Sequence, residues 1–147
     1  MKTTKELKIA IVSGAFWEEI VENLEKHCLE TLVRKGLDES QVEIFRVPGS
    51  FEIPLAVKKL AQKNIYDAII TFGAIHKGKT YHFELIANEC ARACMNVSLE
   101  CGVPVIFEVL AVYDIQDAID RSTQIKENRG VEAANAALSM ISVLGGM

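Results

Sequence analysis

The sequence predicts an α/β fold: one three-layer α/β/α sandwich built on a four-stranded parallel sheet. Three observations carry this. Apolar runs alternate with amphipathic stretches from one end of the chain to the other. The alternation reads β-α-β-α-β-α-β-α, and such an order implies parallel strands with helices on both faces. The 147 residues fit a single domain, 1–147, large enough to bury a core without staples.

Each element has its own signal. Residues 8–13 form an apolar strand broken by Gly14. Residues 17–35 carry Ile20, Leu24, Cys28, Leu32 and Val33 at helical spacing and end at Gly36. Residues 42–47 are a second strand, stopped by Pro48-Gly49. A helix is expected over 52–63, with Pro54 in its first turn, where the missing N–H costs nothing. Residues 68–72 are the third strand, and Gly73 marks the start of a loop. A long helix over 81–100 ends at Gly102. The fourth strand is 103–110, followed by short helical segments near 114–122 and a helix over 130–143. Right-handed crossovers between these strands give a flavodoxin-like sandwich. Four strands leave open edges, and edges need cover, which predicts an oligomer that buries them.

Composition narrows the function. Sixteen Lys and Arg against 20 Asp and Glu give a net charge of −4, and no basic block argues for nucleic acid. No apolar run reaches the roughly 18 residues of a membrane span. The opening Met1-Lys2-Thr3-Thr4-Lys5-Glu6 has no apolar signal core, so a cytoplasmic protein is expected. Cys28, Cys90, Cys94 and Cys101 lack metal-ligand spacing and read as buried thiols, with no metal.

Ligands of open parallel sheets bind beyond the carboxyl ends of the strands. The loops after residues 13, 47, 72 and 110 therefore matter. Phe16 and Trp17 follow the first strand, where an aromatic stacks a flat heterocycle or, for Trp17, plugs the core. Glu52 opens a helix, where a carboxylate suits the dipole and also accepts hydrogen bonds from ligand hydroxyls. Lys77-Gly78-Lys79-Thr80 precedes a helix start, a setting for a phosphate or for a solvated basic loop. His82 lies in the first helical turn beside it, either structural or a proton shuttle. Arg121, near the end of a short helix, suits the dipole there and can also bind a phosphate bidentately. Dinucleotide, P-loop and hydrolase-elbow motifs are absent.

These residues carry a resemblance. Val47-Pro48-Gly49-Ser50-Phe51-Glu52-Ile53-Pro54 resembles the V-P-G-[AS]-[FYW]-E-[IL]-P signature of the lumazine synthase family. Gly78-Lys79-Thr80-Tyr81-His82-Phe83-Glu84 is similar to its G-x-T-x-H-[FY]-[DE] motif. Gly102 to Phe107, Ala118 to Arg121 and Asn128-Arg129-Gly130 also match, so the resemblance spans Ile9 to the last helix. It implies condensation of a ribitylaminopyrimidine with 3,4-dihydroxy-2-butanone 4-phosphate in riboflavin biosynthesis, without a cofactor. Phe16 would stack the pyrimidine, and Ser50, Phe51 and Glu52 would hold the ribityl chain and its neighbours. Ile75 and His76 would offer backbone contacts to the pyrimidine. Lys79, Thr80 and Arg121 would take the phosphate, His82 would be the acid/base, and Phe107 would close the pocket from a neighbouring subunit. The resemblance implies pentamers with sites between subunits, and icosahedral shells in some members. Trp17 stands where the family usually has Asn, His76-Lys77 replaces Ile-Arg, Glu108 replaces Gly and Ile125 replaces Lys. The alternatives on the same fold are a non-catalytic flavin or lumazine binder and a shell-forming protein.

Overall fold

The computed structural model describes residues 1–147. Its elements in chain order are β1 (Ile9–Gly14), α1 (Glu18–Arg34), β2 (Val42–Val47), α2 (Ile53–Ala61), β3 (Ala68–His76), α3 (His82–Cys101), β4 (Val105–Val112), α4 (Ile115–Thr123) and α5 (Arg129–Gly145). The sheet has the order β2-β1-β3-β4 and every pairing is parallel, as the alternation predicts. β1 is buried along its whole length, which is why it is continuously apolar up to Ser13.

Two apolar clusters flank the sheet. Ile9, Ile11, Ile70 and Phe72 face Leu24, Cys28 and Leu32 of α1 and Ala133, Ala134 and Ala137 of α5. Ala10, Val12 and Ile69 face Ile53 and Val57 of α2 and Cys90, Cys94 and Val97 of α3. The period-2 split of each strand thus feeds two helical layers. All four thiols are free; Cys28, Cys90 and Cys94 are buried and Cys101 half-buried. Burial pushes the Cys28 thiol up; the Cys94 thiol is pushed up by its hydrogen bond with Cys90 and then by burial.

Two expectations need correction. β3 does not stop at residue 72: it runs through Gly73 to His76, and β4 ends at Val112 rather than at residue 110. The ladder continues because β3 pairs with β4 as far as His76 opposite Val112. Gly73 is there for space rather than as a breaker. A Cβ on it would stand 2.8 Å from the Ser50 hydroxyl.

The first seven residues pack against the body of the chain. Gln41 Nε2 donates to the carbonyls of Thr4 (2.9 Å) and Leu7 (2.7 Å), and Lys2 pairs with Asp67 at 3.0 Å. The outer edges of β2 and β4 are therefore not covered by this chain's own strands.

Candidate functional site

The carboxyl ends of β1, β2 and β3 converge under a cavity of about 450 Å³. Phe16 and Trp17 bound it from the loop after β1, Phe51 and Glu52 from the turn after β2, His76 from β3 and His82 from α3. Ser50 and Ile75 also line it. Every residue assigned to the pyrimidine and its chain, except Phe107, is thus brought to one place.

Close backbone approach builds the floor. The turn between β2 and α2 is pressed against the ends of β1 and β3, which is why Ser50 meets the space left by Gly73. A Cβ on Gly49 would lie 3.1 Å from the Phe16 ring and 3.3 Å from Glu52 Oε1. The bare Gly49 backbone lets ring and carboxylate crowd that turn. Phe16 and Phe51 are largely exposed (69 % and 58 %), apolar surface that needs a partner.

Trp17 does not plug the core. It belongs to neither apolar cluster, lines the cavity and meets the His76 ring edge-on, with centroids 6.1 Å apart. His76 presents its side chain as well as its backbone: Nε2 donates to the Tyr113 carbonyl at 3.2 Å. Sequence reading left Trp17 undecided because adjacency to Phe16 does not say which way an indole turns. His27, the remaining histidine, sits in α1 beside Gly130, away from the cavity.

The turn before α3 is tied down from below. Lys77 pairs with Glu84 at 3.2 Å and lies 5.3 Å from the centre of the Tyr113 ring. Glu84's own backbone N–H, then Lys77, hold its carboxyl below the usual range. Lys79 and Thr80 are exposed on this turn, outside the cavity lining, and the Thr80 hydroxyl accepts from the His82 amide at 3.4 Å. Lys79 and Thr80 thus lie within three residues of His82 at the start of α3.

Arg121 and Phe107 lie elsewhere. They line a groove of about 300 Å³ along the outer edge of β4, with Glu108 and Arg129. One subunit does not bring them to the cavity that holds His82. Arg121 is held near the surface by Asp117, 3.5 Å away. Glu108 stands 3.9 Å from Arg129, which also pairs with Glu132 at 2.6 Å. Burial pushes the Glu108 carboxyl up to about 7; Arg129 opposes this and Glu132 adds to it.

A larger groove of about 640 Å³ runs between α1 and β2. Arg46 on its wall is bound to Glu18, Glu22 and Glu25. No helix is long and apolar enough to cross a membrane, and no three His, Cys, Asp or Glu side chains gather as a metal site would require.

The aromatic cavity at the sheet's carboxyl edge, the motif-bearing turns that build it and the all-parallel four-stranded sheet agree with a whole-chain comparison. The family model for 6,7-dimethyl-8-ribityllumazine synthase matches residues 6–145 of 147, and the chain belongs to this family of riboflavin biosynthesis.

Proposed function

We propose that this chain catalyses the condensation of 5-amino-6-(D-ribitylamino)uracil with 3,4-dihydroxy-2-butanone 4-phosphate to 6,7-dimethyl-8-ribityllumazine, with release of phosphate and water. The observation that carries this is the placing of His82, at the first turn of α3, in one cavity with Phe16 and Glu52. Phe16 stacks the pyrimidine and Glu52 accepts from ribityl hydroxyls, with Ser50 and Phe51 completing that side. Ile75 and His76 supply backbone contacts. The substrate's own amine attacks the ketone, so no cofactor is needed. His82 moves the protons of imine formation and phosphate departure, and the rest of the rate comes from holding both substrates together.

Lys79 and Thr80 take the phosphate together with Arg121, which in this reading comes from the adjacent subunit along with Phe107. Head-to-tail association sets the β4 groove of one copy against the cavity of the next and closes a ring of five. Three features support association. The β4 edge is unpaired by this chain. α3 exposes Leu85, Met95 and Leu99 on one face, and Tyr81 is exposed at its N-cap. Ile125 is 99 % exposed, beside the Arg121 helix. The reading places the protein in the cytoplasm.

The test is lumazine formation by purified protein, followed by absorbance and fluorescence against a protein-free control, because the substrates also condense unaided. Formation clearly faster than the control is expected. A rate equal to the control would leave a binding or shell-forming protein on the same fold.

A further inference from the structure

Trp17 has a left-handed backbone (φ 57°, ψ 52°), a conformation that bulky side chains rarely enter and asparagine tolerates. Asparagine is also the residue that the family resemblance puts here. Such strain persists where the surroundings override it, and it gathers at ligand sites. Packing does not account for the indole, which is 46 % exposed and outside both apolar clusters. Capping does not either, since Trp17 caps α1 without a side-chain hydrogen bond.

The indole stands at 81° to the His76 ring. That ring is itself anchored to the Tyr113 carbonyl. A carbonyl only accepts, so Nε2 carries the proton, and in the neutral ring Nδ1 is left as an acceptor. Residues from the ends of β1, β3 and β4 thus meet in one chain of contacts at the cavity wall.

We propose that Trp17 is a specificity-determining residue of this cavity, an aromatic side wall selecting a flat heteroaromatic substrate, and that His76 is the residue that positions it. This rests on the reading that the cavity takes the ribitylaminopyrimidine. Phe16 offers the ring a face, and the indole extends the apolar surface beside it, so contact with the ligand offsets the backbone strain.

Trp17 is the only tryptophan, so its emission reports this wall alone. Titrating the protein with 5-amino-6-(D-ribitylamino)uracil by itself should change that emission saturably; no change at saturation overturns the proposal. In Trp17→Asn, KM for this substrate should rise about two- to tenfold. KM for the butanone phosphate and kcat should hold, and Tm should stay or rise, since asparagine suits the backbone. Unchanged KM with a lower Tm makes Trp17 a packing residue and overturns the proposal. Trp17→Phe should recover most of the lost affinity. His76→Ile should shift the Trp17 emission and raise the same KM less; an unmoved emission removes His76 from the wall. If the wild type does not accelerate condensation yet its emission still titrates with the pyrimidine, the catalytic reading falls and this one stands. If the wild type is active and Trp17→Asn keeps its KM, this inference falls alone.

Discussion

His82 and Arg121 line different cavities of the same subunit, one at the carboxyl ends of β1, β2 and β3, the other along the outer edge of β4. If they serve as the proposed acid/base and phosphate anchor of one reaction, they must meet. Within one chain of this fold they do not, because α3 follows β3 while α4 follows the edge strand. On the proposed reading, two copies arranged head to tail would bring them together, and the reaction would then require assembly.

Replacing His82 with alanine should slow lumazine formation by about a hundredfold, the scale of a lost acid/base. His82 is exposed and caps no apolar cluster, so assembly measured by light scattering should not change. An unchanged rate would remove the acid/base role.

Replacing Arg121 with alanine should raise KM for the butanone phosphate by about ten- to a hundredfold, the worth of a charge-assisted hydrogen bond. KM for the pyrimidine should move little. Steady-state kinetics with each substrate varied separates the two, and equal effects would count against a phosphate role.

Glu108 makes stability depend on pH. Its folded carboxyl is raised from 4.5 to about 7, so the folded state holds the proton more tightly than the unfolded chain. The contribution is favourable below the unfolded value and is lost as pH rises from about 4.5 to about 7. Across that window about 2–3 kcal/mol should disappear, and Glu108→Gln should flatten the loss. Urea unfolding at pH 5 and pH 8, at one protein concentration, reads it; equal slopes for both proteins would show that Arg129 neutralises the carboxylate fully.

Gly130 is a packing residue. A Cβ there would lie 2.4 Å from the Leu24 carbonyl of α1 and 3.1 Å from His27 Cβ. Gly130→Ala gains about 1 kcal/mol of helix propensity. Overpacking against backbone costs about 3 kcal/mol, so a net loss of about 2 kcal/mol is expected, read as a lower Tm. A gain in Tm would mean that α1 and α5 separate easily. The glycine of the Asn128-Arg129-Gly130 motif thus serves the helix crossing, and Asn128 caps α5 through the amides of Gly130 and Val131.

Most of the fold was legible because its signals are local. The buried run of β1, Pro54 at the start of α2 and Gly102 after α3 mark boundaries within a residue or two. Gly73 misled because a glycine that makes room for Ser50 looks in sequence like one that breaks a strand. The cavity residues were legible through strand-end placement and through the two motif-bearing turns. Trp17's direction and the His76–Tyr113 contact were not, since both depend on a left-handed backbone and on loops that meet only in three dimensions. The separation of Arg121 from His82 also comes from strand order, which alternation alone does not specify.

Mixing the two crippled proteins tests the shared site most directly. His82→Ala and Arg121→Ala subunits, each nearly inactive alone when the butanone phosphate is well below the KM of the Arg121 variant, are unfolded together, refolded and assayed for lumazine formation under those conditions. In a head-to-tail ring about one quarter of the sites then pair an intact His82 with an intact Arg121, and about a quarter of wild-type activity should return. Activity no higher than that of the separate variants would contradict a site built from two subunits.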